Sequence, residues 1–275
     1  MPQNPLQQYF RQPKIYIKLP SQGVYNKPGV FQGDASNVAV YGMTGMDEII
    51  LKTPDALLSG ESTVKVIESC VPSYKDAWGA SIIDVNAIFA AIRIATFGNT
   101  MTVSNVCDKC ETENDYDLDL SRIIDHFSKF VYNNKIVLKD MIIVTQPLTY
   151  KQSTEFGLKN FKLQQRVQQT RELTDDTEQQ MAINLLFQEL SVIQSDLYKA
   201  CVESIEVSNQ VVNERNYINE FLDNCENHIT DAIKNHVEQN REAWKSPTFP
   251  AECSNCQHKV NLFLELDQSN FFGKA

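Results

Sequence analysis

The stretch Cys107-Asp108-Lys109-Cys110 is matched in form by Cys253-Ser254-Asn255-Cys256 near the other end of this 275-residue chain. Two Cys-x-x-Cys pairs can supply four thiolates at tetrahedral reach, which is the closed ligand set of a structural zinc site. The sequence therefore predicts one zinc ion per chain, bound by Cys107, Cys110, Cys253 and Cys256. Four sulfur ligands also suit iron, so the residues alone leave the choice between zinc and iron open.

A shared pattern follows each cysteine pair. Apolar residues stand six, eight and ten positions after the second cysteine, namely Tyr116, Leu118 and Leu120 in the first case and Leu262, Leu264 and Leu266 in the second. Alternation of apolar and polar residues is typical of a half-buried strand. Each pair is therefore predicted to form the turn of a zinc knuckle that leads into a strand. The metal would join the last part of the chain to its first half.

Other cysteine chemistry fits this pattern less well. Thioredoxin-like redox chemistry needs a pair that opens a helix, whereas strands are predicted here. Disulfides need an oxidising compartment, and residues 1–10 lack the apolar segment of a signal peptide. A catalytic zinc keeps an open position and uses histidine or carboxylate ligands. His258 could replace a cysteine, but it is predicted to be a strand residue. The remaining cysteines are predicted to be small buried hydrophobes: Cys70, Cys201 and Cys225.

Composition and charge exclude several classes of function. The net charge is −10, and residues 111–125 carry many carboxylates. Nucleic-acid binding needs clustered Lys and Arg, so binding no tighter than nonspecific contact is expected. No apolar run approaches the roughly 20 residues that cross a bilayer, so no membrane segment is predicted. The sequence has no nucleophile elbow, phosphate-binding loop or His-Glu-x-x-His motif, so no enzyme activity is predicted.

The predicted fold class is α+β and predominantly helical, with a four-cysteine zinc-ribbon-like base built from the two knuckles. Residues 1–148 are predicted to form the α+β part of this base with the first knuckle. Residues 149–245 contain no proline and one glycine, and are predicted to form a helical arm or bundle. Residues 246–275 are predicted to carry the second knuckle and a tail that returns to the base.

Local signals add detail to this division. Asp47 is predicted to cap a short helix from residue 48, and Pro54 to open a further turn. Within the predicted arm, the second helix repeats apolar residues at three- and four-residue spacing: Met181, Leu185, Leu186, Leu190, Ile193 and Leu197. Such stripes are expected to be packed core, with an exposed face of a projecting arm as the alternative. A third helix is predicted over residues 213–237.

Several segments resemble the T4-type bacteriophage baseplate hub assembly protein family. The more specific segment is Met46-Asp47-Glu48-Ile49-Ile50-Leu51-Lys52-Thr53-Pro54-Asp55-Ala56-Leu57-Leu58-Ser59-Gly60. Residues 15–25, 66–70 and 92–98, both cysteine pairs and Phe271-Phe272 fit the family in the same order. The resemblance covers residues 14–120 and the last 25 residues, and it is weak over 121–250.

The resemblance implies a non-enzymatic role in building the central hub of a contractile-tail baseplate through protein–protein contacts. The implied partners are other hub or wedge proteins, with the tape-measure protein as a further candidate. The implied location is the host cytoplasm during assembly and, if the protein stays in the particle, the virion tail baseplate. A zinc-ribbon nucleic-acid factor is the alternative, and a zinc hydrolase is a third class. They would need a basic surface and an open metal site, respectively.

Overall fold

Helices and strands both make up large parts of the described residues, so the fold is mixed α and β. The computed structural model describes residues 4–53, 59–171, 176–208, 210–264 and 266. The chain divides into two units, which we call the first unit (residues 1–131 and 244–275) and the second unit (residues 132–243).

The first unit consists of helices and three two-stranded antiparallel sheets. Its helices are α1 (Gly45–Leu51), α2 (Glu61–Cys70), α3 (Ile82–Phe97) and α4 (Ser121–Lys129), with 3-10 turns at Gln7–Tyr9 and Ala77–Gly79. Its strands are β1 (Pro13–Ile17), β2 (Val38–Tyr41), β3 (Thr100–Val106), β4 (Glu113–Asp119), β9 (Thr248–Glu252) and β10 (Lys259–Phe263). The sheets pair β1 with β2, β3 with β4, and β9 with β10.

Helix α3 forms the centre of the first unit. It packs against β1, β2, α2 and α4, and it is buried on nearly all sides, with Ile88 and Ile92 fully buried. A helix that is apolar all round belongs in the interior of a domain. Gly98 ends the helix with a φ of 92°, a left-handed conformation that glycine adopts without strain.

A buried carboxylate attaches an N-terminal loop to the start of α3. Asp84 is fully buried and accepts four hydrogen bonds, from the Ser21 N–H (2.9 Å), the Ser21 hydroxyl (2.5 Å), the Asn26 amide (3.1 Å) and the Tyr74 hydroxyl (3.1 Å). Burial raises the pKa of Asp84. A buried polar group that keeps all its partners specifies local structure, whereas an orphaned one is costly.

We expect Asp84→Ala to destabilise the first unit by about 3 kcal/mol, because four buried donors lose their acceptor. Urea unfolding followed by tryptophan fluorescence would measure this effect. Both tryptophans, Trp78 and Trp244, lie in the first unit and report on its unfolding. Asp125→Ala is the matched control, because Asp125 is exposed on α4. An Asp84→Ala protein as stable as this control would show that the network contributes no stability.

The N-terminal segment is held by Arg11. Its guanidinium donates to the Gly42 carbonyl (2.9 Å) and to the Ser69 carbonyl (2.6 Å), and it pairs with Asp47 at 3.4 Å. The predicted helix start at Asp47 was wrong. The cap is Thr44, whose hydroxyl accepts from the Asp47 N–H, while Asp47 accepts from the Thr44 N–H. Asp47 is thus the third helical residue of a capping box. The predicted turn at Pro54 lies outside the described residues.

The second unit contains a four-stranded antiparallel sheet and four helices. Its strands, β5 (Lys135–Val137), β6 (Met141–Thr145), β7 (Val202–Val207) and β8 (Gln210–Val212), lie in the order β5-β6-β7-β8. Its helices are α5 (Tyr150–Arg171), α6 (Asp176–Cys201), α7 (Arg215–Asn224) and α8 (Asn227–Ala243). The core joins the sheet to α7 and α8 through Ile136, Ile143, Val202, Ile205, Ile218, Leu222, Ile229 and Ile233.

Helices α5 and α6 form an antiparallel hairpin that leaves and re-enters this sheet at one point. β6 pairs with β7, and the Gln146 N–H donates to the Cys201 carbonyl at 2.8 Å. At 1.5 Å per residue, the helices are about 33 and about 39 Å long. No helix of the described residues has the length and apolar character needed to cross a membrane.

Three predictions about residues 149–245 need correction. The segment is not helical throughout, because it contains β7 and β8. The third predicted helix is divided at residues 225–226 into α7 and α8. The predicted boundary at residue 149 falls inside the second unit, which begins at 132 because β5 and β6 pair with β7 in one sheet.

Candidate metal centre

The two cysteine pairs form turns with the same backbone hydrogen bonds. We call β3–turn–β4 the first cysteine hairpin and β9–turn–β10 the second. In the first, the Cys107 N–H donates to the Thr112 carbonyl and the Glu111 N–H to the Cys107 carbonyl, both at 2.9 Å. In the second, the Cys253 N–H donates to the His258 carbonyl and the Gln257 N–H donates to the Cys253 carbonyl, also at 2.9 Å.

The residue after each second cysteine has a left-handed backbone. The φ angles are 56° at Glu111 and 57° at Gln257. This conformation costs a non-glycine residue about 1 kcal/mol or more, so the surrounding structure must impose it. It closes the turn so that both thiols of a pair point the same way. The repeated sequence pattern is therefore a repeated structure.

The two turns bring all four predicted ligands together. The Sγ atoms of Cys107, Cys110, Cys253 and Cys256 lie within 4.8 Å of one another. The Cys107 and Cys256 sulfurs are 3.7 Å apart, and the Cys110 and Cys253 sulfurs 3.6 Å apart. Cys107 and Cys253 are buried, whereas Cys110 and Cys256 are partly exposed.

These distances fit a tetrahedral thiolate site. With zinc–sulfur bonds of about 2.3 Å, the edge of a tetrahedron is about 3.8 Å. A disulfide needs about 2.05 Å, and all seven cysteines are free thiols. Both turns lead into strands and not into a helix, as the redox motif would require. The donor set therefore suits a thiophilic metal with no position left open for a substrate.

Four of the six apolar residues predicted to face inward after the turns are buried, whereas Tyr116 and Leu266 are only partly buried. Leu118 and Leu120 are buried after the first pair, and Leu262 and Leu264 after the second. The second hairpin also packs on α4, where the Arg122 guanidinium lies 5.2 Å from the ring centre of Phe249. The cysteine turns are thus supported by apolar contacts on the strands that carry them.

The thiols of the cluster differ in how easily they ionise. Hydrogen bonding from Thr112 lowers the pKa of Cys110 to about 6. The Cys256 backbone N–H lowers the pKa of Cys253. A hydrogen bond with the His258 backbone lowers the pKa of Cys256, but hydrogen bonds with the other cluster thiols outweigh it and raise this pKa to about 12. Four thiolates therefore require a bound cation, and metal binding would release protons.

Residues outside the cluster do not share this environment. Burial raises the pKa of Cys70 and of Cys201 to about 12, in line with inert buried thiols. Cys225 is only partly buried. Among the described residues no histidine joins the metal-ligand cluster. His258 contributes its backbone carbonyl to the second turn, and its side chain is not one of the candidate ligands.

An acidic strand face lies beside the cluster. Four exposed carboxylates alternate along β4: Glu113, Asp115, Asp117 and Asp119. Thr102 donates to Asp117 at 2.7 Å, and Ser104 donates to Asp115 at 2.6 Å. A face of this charge repels a phosphate backbone, so the geometry does not favour the nucleic-acid alternative.

Sequence reasoning missed one polar residue of this site. Asn114 lies on the inward face of β4, is only 6% exposed, and contacts Ser254 of the second cysteine hairpin. The sequence did contain a signal for this residue. Asn114, Tyr116 and Leu118 are two residues apart on one strand, so they share a face, and an amide stands among apolar residues.

Comparison with known proteins identifies a family. The family model described as T4 bacteriophage base plate protein matches residues 43–273, which include both cysteine hairpins and the whole second unit. Neither curated proteins nor solved structures gave a match.

Proposed function

The chain belongs to the T4 bacteriophage base plate protein family, and we propose that it acts without catalysis in building the central hub of the baseplate. As a baseplate structural protein it functions through contacts with other phage structural proteins. The hub assignment rests on the segments that resemble hub assembly proteins, among them residues 46–60. The proposed partners are hub or wedge proteins, with the tape-measure protein as a further candidate, met in the host cytoplasm during assembly.

The proposed role of the cysteine cluster is structural. Cys107, Cys110, Cys253 and Cys256 would hold one zinc ion and form a zinc-ribbon-like base. Support comes from the sulfur–sulfur distances of 3.6 and 3.7 Å and from the absence of a histidine ligand in the cluster of described residues. Such a site stabilises the first unit, because metal binding contributes directly to folding.

The proposed partner contact is on the helical hairpin of the second unit. Met181, Leu185 and Val192 are 64%, 58% and 60% exposed, and their spacing places them on one face of α6. The buried Leu186 lies on a different face of the helix. The prediction that the whole apolar set of α6 is core was therefore wrong for Met181 and Leu185. This exposed stripe on a long helix is the observation that carries the proposal, because an apolar helix face is a common protein-binding surface.

We expect Met181→Ser/Leu185→Ser/Val192→Ser to fold normally and to lose its hub partners. The three side chains are exposed, so stability should change by no more than about 0.5 kcal/mol per site. Tagged protein would be recovered from infected cells and the bound tail proteins identified by mass spectrometry. Hub proteins should dominate with the wild type and fall at least about tenfold with the variant.

The matched control is Met46→Ser/Ile49→Ser, which removes two exposed apolar side chains from α1 of the first unit. It should keep the wild-type partners. Full recovery of partners by the α6 variant would overturn the proposed contact. A loss with the α1 variant alone would move the contact to the first unit. Recovery of wedge proteins only, by the wild type, would contradict the hub assignment.

A further inference from the structure

At one inward-facing position the first cysteine hairpin has a polar residue and the second an apolar one. Asn114 stands four residues after Cys110, and Val260 stands at the same offset after Cys256. Asn114 is 6% exposed, on a strand whose other inward residues include Tyr116 and Leu118. A valine is the ordinary choice at such a position, and a buried amide is costly unless its hydrogen bonds are satisfied.

All four hydrogen-bonding positions of the Asn114 amide are used. Its Oδ1 accepts from the Ser254 N–H at 2.9 Å and from the Ser254 hydroxyl at 2.7 Å. Its Nδ2 donates to the Thr112 carbonyl at 2.8 Å and to the Cys253 sulfur at 3.5 Å. A flipped amide would place Nδ2 against the Ser254 N–H, so the pattern fixes its orientation.

Three of these four bonds cross from the first cysteine hairpin to the second. They end on Cys253 and Ser254, about 140 positions along the chain, while the fourth holds the amide to its own turn at Thr112. Asn255 adds one further crossing bond, from its Nδ2 to the Thr112 hydroxyl at 3.1 Å. The crossing bonds do not involve a metal, so they can align the two turns before a metal ion binds.

We propose that Asn114 is the positioning residue of the metal site: it sets the second cysteine turn against the first and stabilises the Cys253 thiolate. This inference rests on the proposed metal-binding role of the four cysteines. An N–H donor to a ligating sulfur lowers the cost of its negative charge, and the bonds to Ser254 fix the turn that carries this sulfur. Partners of metal ligands typically contribute 10- to 100-fold in metal affinity.

The test compares the full-length wild type with Asn114→Val, which copies the residue at the equivalent position of the second hairpin. Zinc affinity would be measured by competition with a chromophoric chelator, and Co²⁺ would report on the thiolate donors through its sulfur-to-metal charge-transfer band. We expect about 10- to 100-fold weaker zinc binding and a shifted Co²⁺ band. Thr102→Val, which removes an exposed hydroxyl from the same hairpin, should leave both unchanged.

A second variant covers the case in which Asn114→Val does not fold. Ser254→Ala removes one of the two bonds to Oδ1 and keeps the backbone one, so it should fold and bind zinc several-fold more weakly than the wild type. Wild-type affinity and an unchanged Co²⁺ band in folded Asn114→Val would overturn the inference, as would wild-type affinity in Ser254→Ala if the valine variant is unfolded. Failure of the wild type to bind any thiophilic metal would instead contradict the proposed metal site.

Discussion

Replacing Cys253 with serine is expected to release the metal and to unfold the first unit. Cys253 is buried, its sulfur lies 3.6 Å from that of Cys110, and it belongs to the hairpin that returns from the far end of the chain. A serine hydroxyl is a poor ligand for a thiophilic metal. Structural zinc sites contribute about 10 kcal/mol or more to folding at neutral pH, which is as large as the whole stability of many domains.

Two measurements on one preparation check this prediction. Metal analysis of reduced wild-type protein should give about one zinc per chain, and the Cys253→Ser protein should give none. Tryptophan fluorescence should show the wild-type first unit folded and the variant unfolded or far less stable, because Trp78 and Trp244 both lie in that unit. Circular dichroism should retain much of the helical signal, since α5–α8 belong to the second unit.

The same substitution at Cys225 is the control. Cys225 is a partly buried thiol of the second unit outside the cluster, so Cys225→Ser should keep the full metal content and the wild-type fluorescence. Iron in place of zinc would leave the ligand set intact and change only the metal. A wild type free of both metals, or a Cys253→Ser protein as stable as Cys225→Ser, would show that the cluster is not a structural metal site.

The cysteine site was the part most open to prediction from sequence. Its four candidate ligands come in pairs at fixed spacing, and each pair is followed by an alternating strand, so local patterns predicted the cluster of four thiols that the structure contains. A local signal of the same kind marks α3, whose long apolar run ends at a glycine. These features are encoded within a few residues of where they act.

Strands β7 and β8 of the second unit were harder to predict. Val202 follows Cys201 directly, so α6 passes into β7 without a proline, glycine or other turn signal. The polar, proline-free composition around them favoured helix. The signal that was present was the set of β-branched residues Val202, Ile205, Val207, Val211 and Val212. The pairing of β7 with β6, more than 50 positions earlier, is a tertiary effect that local propensity does not contain.

Buried polar residues were also difficult to predict from the sequence. Asp84 and Asn114 look like ordinary surface residues in the sequence, and their partners Ser21 and Ser254 lie 63 and 140 positions away. Only the folded chain shows that their hydrogen bonds are satisfied. The exposed stripe on α6 was predicted only as the alternative to packed core, for the converse reason. Its spacing is that of a core helix, and the sequence does not show which of two apolar faces meets α5.

The ends of the second unit lie side by side. The Asn133 N–H donates to the Asn240 Oδ1 at 3.0 Å, and the Asn133 carbonyl accepts from Asn240 Nδ2 and from His236 Nε2, both at 2.8 Å. The chain therefore enters and leaves this unit at nearly the same place. Such an insertion can be removed with a short linker, because little chain entropy is lost in joining its ends.

Removing residues 132–243 and joining 131 to 244 through a short Gly/Ser linker is expected to leave a folded first unit that binds one zinc ion and no longer supports baseplate assembly. All four cysteines of the cluster, both tryptophans and the Asp84 network remain in this chain. Its metal content should therefore equal that of the full-length protein. Its fluorescence should show one cooperative unfolding transition, with Trp78 as the reporter because Trp244 adjoins the linker. Assembly would be measured by complementation of an infection that lacks the intact protein, and we expect it to be lost.

The cut must follow the observed unit and not the predicted arm. Removing only residues 150–245 would leave β5 and β6 without β7, and would expose Ile136 and Ile143 of the second core. The protein without residues 150–245 should aggregate, whereas the protein without residues 132–243 should not. Each deletion therefore serves as the control for the other. If the 132–243 deletion binds zinc but still complements, the essential contact lies on the first unit. If it fails to fold, the first unit depends on the second for its stability, and the two do not act as a metal-bound base and a separate partner-binding element.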